Sequence, residues 1–96
     1  MLGQVMVTTE SPSMLRPLLR AAIQNEAKVL THGIKRTSER LTAFEKQFGM
    51  TSEEFERRYT AAEIDETLAS IEWLGEIRML RLLSEQKLVL DGARVR

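Results

Sequence analysis

Residues 23–48 read IQNEAKVLTHGIKRTSERLTAFEKQF, and apolar or small side chains recur in this stretch at alternating steps of four and three. Such steps place every member on one side of an α-helix, because side chains three and four positions apart lie one above the other. The members of this seam are Ile23, Ala27, Leu30, Ile34, Thr37, Leu41, Phe44 and Phe48. Most other positions of the stretch are polar, so the pattern predicts a long helix that is covered on one side only.

Residues that favour helix termini mark both ends of this helix. Ser11 or Ser13 can cap its N-terminus, and Pro12 suits the first helical position, where a missing N–H costs little. Gly49 can adopt the left-handed conformation that ends a helix. We therefore predict a long helix over residues 12–49.

A second helix start follows at once in the sequence MTSEEF, which begins at Met50. Thr51 can cap the new helix, and Glu54, three residues later, can bond back to the cap. Met50 can pack against Phe55 across the same turn. This combination predicts a reversal of the chain directly after the first helix.

The sequence TAAE at residues 60–63 repeats the capping pattern, and Asp91-Gly92 is a stop signal. We therefore predict a short helix and turn over residues 50–62 and a second long helix over residues 63–91. An antiparallel hairpin of the two long helices is the simplest way to cover the seam.

The second long helix carries apolar residues on two nearly opposite sides. One side gathers Ile64, Leu68, Ile71, Gly75, Met79, Leu82 and Val89, and the other gathers Trp73, Ile77, Leu80 and Leu88. We expect the first side to pack on the seam, with glycine allowing a close approach. The second side then needs a partner, because a bare stripe with a tryptophan is a large exposed apolar patch. The predicted partner interface is Trp73, Ile77, Leu80 and Leu88 with the neighbouring Glu72 and Glu76.

The predicted fold class is all-α, in one helical domain over residues 1–96, and we expect the hairpin to form a homodimer. Residues 1–11 form an N-terminal strand or arm, in which Leu2 to Thr9 carries β-branched residues. A single strand cannot satisfy its own backbone, so this one would pair with the same segment of a second copy. A frayed tail is the alternative.

Composition points away from catalysis. The chain has no cysteine, and His32, its one histidine, has no second ligand to share a metal. No nucleophile has a base at hand, and the glycines form no phosphate loop. We expect no catalytic residue, no cofactor and no metal, so the protein is not expected to be an enzyme. With 14 basic and 14 acidic residues and no long apolar run, we expect a cytoplasmic protein without membrane contact or small-molecule substrate.

Two motifs resemble a known group of proteins. Residues 41–55, LTAFEKQFGMTSEEF, followed by residues 71–76, IEWLGE, are similar to small prokaryotic helical proteins common in archaea and cyanobacteria. Members are often encoded beside a toxin as presumed antitoxins of two-gene modules. The similarity covers Leu15 to Leu90. This chain has Thr60-Ala61-Ala62-Glu63-Ile64 where the group usually has a glycine-bearing connector.

The resemblance implies a non-enzymatic interaction module that binds and neutralises a toxin protein, and this is our first hypothesis. A dimeric DNA-binding regulator is an alternative, with an N-terminal ribbon that directs Gln4, Met6 and Thr8 to the major groove and with Arg16 and Arg20 on phosphates. A helical scaffold or adaptor is a third hypothesis.

Overall fold

A computed structural model of the chain describes residues 3–96. It contains the helices α1 (Pro12–Phe48), α2 (Ser52–Thr60) and α3 (Leu68–Asp91), and no strand occurs within residues 3–96. The predicted all-α hairpin with a short helix at its turn is confirmed. The fold is elongated, with extents of 57 × 25 × 19 Å.

Contacts between α1 and α3 run in opposite order along the two helices. Arg40 of α1 bonds to Glu76 of α3, and Gly33, earlier in α1, lies beside Leu83, later in α3. The two long helices are therefore antiparallel. The helices approach closely at Gly33, because a Cβ there would lie 3.1 Å from a methyl carbon of Leu83 and that side chain would have to shift.

The predicted bounds of α1 agree with the structure. Pro12 is the first helical residue, and Gly49 ends the helix with φ at 65°. Ser11 precedes the helix, but its side chain makes no capping hydrogen bond. Pro17 lies inside α1, so one backbone hydrogen bond is absent from its second turn.

The predicted capping box at the start of α2 forms only in part. The N–H of Glu54 donates to Thr51 Oγ1 at 3.1 Å, so Thr51 is the cap. The Glu54 carboxylate does not return to the cap, because it pairs with Arg57 and Arg58. Glu45 of α1 accepts a different bond at this helix start, from the N–H of Ser52 to its Oε2 at 2.8 Å. This bond fixes the angle between α1 and α2.

The prediction that the second long helix begins at residue 63 is wrong, because α3 begins at Leu68. The chain leaves α2 through a Schellman turn, in which Ala62 adopts the left-handed conformation with φ at 58°. Its two bonds run from the N–H of residue 63 to the Arg58 carbonyl and from the N–H of Ala62 to the Tyr59 carbonyl. The capping box that starts α3 is formed by Thr67 with Ser70.

The side of α3 that faces α1 is the opposite of the predicted one. Trp73 and Ile77 are only 1% and 6% exposed, and they lie in the core with Leu41, Phe55 and Leu74. The side predicted to pack on the seam faces outward instead, apart from Ile64, which packs on the core from the connector. The prediction that Trp73 and Ile77 need a partner for burial is therefore wrong.

Aromatic packing explains why α3 takes this orientation. The five aromatic residues of the chain lie in one cluster at the turn end of the hairpin. Trp73 stacks on Phe55 at a centroid distance of 4.0 Å and on Phe44 and Phe48 at 5.6 and 5.5 Å. Its indole N–H donates to Ser52 Oγ at 3.0 Å. No other side chain of α3 can bury as much apolar area and also place a polar group, here the indole N–H, on a hydrogen-bond acceptor.

The seam of α1 is confirmed as the side that faces α3. Leu30, Thr37 and Leu41 are buried, and the other seam residues are half-buried except Phe48, which is exposed on one edge while it stacks on Trp73. The aromatic core lies at the turn end, so the open end of the hairpin has a thinner interior.

Residues 3–11 form neither a helix nor a strand within the described chain. Val5 and Met6 are almost fully exposed. Leu2, the first residue of the predicted strand, lies outside the described residues. The prediction that this segment pairs with a second copy stays a prediction.

Candidate functional site

An apolar stripe runs along the outer side of α3, away from α1. It comprises Leu68, Ile71, Leu82 and Val89, which are between 49% and 76% exposed, and we call it the outer stripe. Gly75 lies within it and has open space above its Cα, so a neighbouring backbone can approach there. A seven-residue spacing, the repeat typical of helices that pack against each other in coiled coils, relates Leu68, Gly75, Leu82 and Val89.

A shallow groove of about 890 Å³ runs between α1 and α3, and we call it the lateral groove. Its floor and walls are formed by residues of the two long helices, and none from α2. The groove is shallow where its lining residues are small, at Gly33 and Ala43 on α1 and at Gly75 on α3. Met79 lies beside Gly75.

The two walls of the lateral groove carry opposite charges. The α1 wall presents Arg36 and Arg40, and the α3 wall presents Glu72 and Glu76. Arg40 Nη1 and Glu76 Oε1 are 2.8 Å apart and form an ion pair across the groove. Neither Arg36 nor Glu72 forms an ion pair within residues 3–96, and both are exposed.

The structure divides the predicted partner interface among three locations. Trp73 and Ile77 lie in the core, and Leu80 packs against the core half-buried. Leu88 is exposed near the end of α3, outside the outer stripe. Glu72 and Glu76 lie in the lateral groove. These residues do not form one surface.

A second, smaller pocket lies beside Trp73. It has a volume of about 210 Å³, and its lining is almost entirely apolar, with Phe48, Met50, Phe55 and Ile64 among the lining residues. The indole N–H already bonds to Ser52, so it is not free to bind a ligand.

Ion pairs within α2 and between α2 and α3 lower the pKa values of two α2 glutamates. The pKa of Glu54 falls from 4.5 to about 2, first because it bonds to Arg57 and second because it bonds to Arg58. Arg81 of α3 makes a two-pronged bond to Glu56, which lowers the pKa of that carboxyl group. The Glu54 pairs therefore lie within α2, and the Glu56–Arg81 pair joins α2 to α3.

The residues considered for DNA contact are accessible but scattered. Gln4, Met6 and Thr8 are exposed in the N-terminal segment. Arg20 is exposed on α1, and the Arg16 Nε donates to the backbone oxygen of Arg96 at 2.8 Å. Nothing in their arrangement forms a continuous basic surface.

No group of three or more His, Cys, Asp or Glu side chains within residues 3–96 is placed to hold a metal ion. His32 is exposed on α1. No helix in the same range is long and apolar enough to cross a membrane.

Comparisons with family models, curated proteins and solved structures found no significant match to this chain. The surfaces themselves must therefore carry the functional argument. Sequence reasoning grouped the residues of the outer stripe correctly on one side of α3. It placed that side against α1, whereas in the structure these residues face outward.

Proposed function

We propose that this protein is a helical protein–protein interaction module that binds a partner protein through the outer stripe of α3. The observation that carries the proposal is the exposure of four large aliphatic side chains in one line on a helix whose opposite side is the core. Contiguous exposed apolar surface of this kind marks interaction sites in soluble proteins.

The apolar area of the outer stripe is sufficient for binding of moderate strength. Complete burial of one aliphatic side chain contributes about 1.5–3 kcal/mol, so covering the exposed fractions of these four contributes about 5 kcal/mol. Association costs consume part of this gain, so the partner must add polar contacts at the rim. Arg78 and Glu85, which are exposed on α3, are available for such contacts.

The specific role that we propose is antitoxin-like: the protein binds a toxin and covers its active surface with α3. Support comes from the resemblance of residues 41–55 and 71–76 to presumed antitoxins. Within this proposal the outer stripe replaces the Trp73 side as the toxin-binding surface, because Trp73 is already covered by its own chain.

Co-expression with the product of the adjacent gene tests this proposal. We expect the wild-type chain to co-purify with that product and to relieve its growth inhibition. The Leu82→Lys variant should lose both effects, because a lysine in the centre of the outer stripe cannot be desolvated cheaply. Thr42→Lys is the matched control, since it adds the same charge at an exposed position of α1.

Circular dichroism of both variants checks that the helices remain folded. If the complex and the growth rescue survive Leu82→Lys, the outer stripe is not the binding surface. If the adjacent gene product neither binds nor inhibits growth, the antitoxin role is wrong.

A further inference from the structure

We propose that the lateral groove is the contact surface between two copies of this chain, which pack groove to groove as a four-helix bundle. In this arrangement α1 of each copy lies over α3 of the other, about a two-fold axis parallel to the long helices. The four side chains of the outer stripe do not line the groove. Gly75 belongs to both surfaces, but the second copy contacts the groove walls and not those four side chains, so this dimer does not depend on a toxin.

The surface area of the single chain supports a second copy. A folded monomer of 11.0 kDa is expected to expose about 5,600 Å². This chain exposes 7842 Å², an excess of roughly 2,200 Å² over that expectation. A standard interface takes about 800 Å² from each partner, which the long open side of the hairpin can supply.

The charges on the groove walls identify which occupant fits. A general apolar helix would leave both arginines and both glutamates of the groove without new partners. A second copy presents the same two walls, so each basic wall can meet an acidic one. Arg40 and Glu76 lie at the same level along the hairpin, because they bond to each other within one chain.

The same charges distinguish between two symmetric arrangements. With the two-fold axis parallel to the helices, the α1 wall with Arg36 and Arg40 faces the Glu72 and Glu76 wall of the partner copy. With the axis across the helices, α1 faces α1 and α3 faces α3, so like charges meet. Like charges across an interface are unfavourable, so the pattern selects the first arrangement.

Small residues in the groove allow the two copies to approach. Bundled helices pack with their axes 8–10 Å apart only when the side chains between them are small or interdigitate. Gly75 has open space above its Cα, Ala43 lies on the opposite wall, and Met79 can fill the gap between them.

The test measures self-association of the full chain by sedimentation equilibrium and light scattering at micromolar concentrations. We expect a wild-type mass of twice 11.0 kDa. One variant reverses the basic wall, Arg36→Glu with Arg40→Glu, and a second reverses the acidic wall, Glu72→Arg with Glu76→Arg. Each variant alone should dimerise at least about tenfold more weakly, since its symmetric dimer contains two mismatched wall pairs.

An equimolar mixture of the two variants should form a heterodimer with an affinity within about threefold of the wild type. In that heterodimer both wall pairs are again opposite in charge. Each variant loses the Arg40–Glu76 bond within its own chain, but this loss is the same in the homodimer and in the mixture. Comparing the two therefore isolates the contact between copies.

Three outcomes would overturn the inference. A wild-type chain that stays monomeric at high micromolar concentration excludes the dimer and leaves the proposed function untouched. If each variant alone dimerises as tightly as the wild type and the mixture of the two dimerises more tightly, α1 packs on α1 and α3 on α3, which is the arrangement with the axis across the helices. A dimer that Leu82→Lys disrupts and the wall variants do not would place the second copy on the outer stripe.

Circular dichroism shows whether the double variants fold. If either does not, the single variants Arg36→Glu and Glu72→Arg take their place. Both residues are exposed and unpaired within the described chain, so folding does not depend on them.

Discussion

Replacing Trp73 with alanine should destabilise the single chain severely, because this side chain is the centre of its core. Trp73 is 1% exposed, stacks on three phenylalanines and donates a hydrogen bond to Ser52. Removing a buried tryptophan costs about 3–5 kcal/mol, and the lost bond adds to this.

That cost is large for this fold. A domain of 96 residues has an unfolding free energy of roughly 5–15 kcal/mol, so Trp73→Ala removes a large fraction of the total. In a domain of this size, each kcal/mol shifts Tm by about 4–8 °C, and we expect Tm to fall by at least about 12 °C. Thermal and urea unfolding followed by circular dichroism measure both quantities.

Leu88→Ala is the control for this experiment. Leu88 was assigned to the same side of α3 by its spacing, but it is exposed in the single chain. We expect its removal to change stability by no more than about 0.5 kcal/mol. If Trp73→Ala were as stable as Leu88→Ala, the aromatic cluster would not be the core and the orientation of α3 would be wrong.

Three further predictions concern the helix ends, the stripe glycine and acid stability. Ala62→Gly should raise the unfolding free energy by about 1 kcal/mol in urea titrations, because alanine is strained at a φ of 58°; an unchanged midpoint would contradict the Schellman turn. Gly75→Ala should add about 0.5–1 kcal/mol in the same assay, since the site is helical and open, and a loss would show that its surroundings are crowded. The pKa of Glu54 in the folded chain is about 2, below its usual 4.5. The stabilisation of the folded chain by the ionised Glu54 is therefore complete above about pH 5 and disappears as the pH falls towards 2. Glu54→Gln should therefore flatten stability over pH 2–5, and a pH profile that matches the wild type would show that these ion pairs do not persist.

The sequence predicted the features that depend on local chemistry. The seam in residues 23–48 predicted the side of α1 that faces α3, because steps of four and three place side chains on one side of a helix, and Pro12 and Gly49 predicted where the helix ends. Thr51 and Gly49 marked the turn, because a cap and a left-handed stop are properties of a few adjacent residues.

The features that depend on tertiary packing were not predictable in this way. Both sides of α3 carry aliphatic residues, and periodicity does not show which side meets α1. The choice depends on stacking between Trp73 and aromatic residues that are distant in sequence, and on a hydrogen bond to Ser52. The start of α3 was misplaced for a similar reason, because the Schellman turn at Ala62 uses a residue that rarely adopts that conformation.

Both the position of the core and the proposed binding surface depend on which side of α3 packs on α1 within one chain. The chain has no cysteine, so Ile77→Cys and Leu82→Cys each introduce a single thiol on opposite sides of α3. The rate of thiol labelling in the folded protein, relative to the same variants in denaturant, measures this directly. We predict that the thiol at position 82 reacts almost as fast as when unfolded and that the thiol at position 77 is strongly protected. Protection at position 82 with free reaction at position 77 would contradict the account.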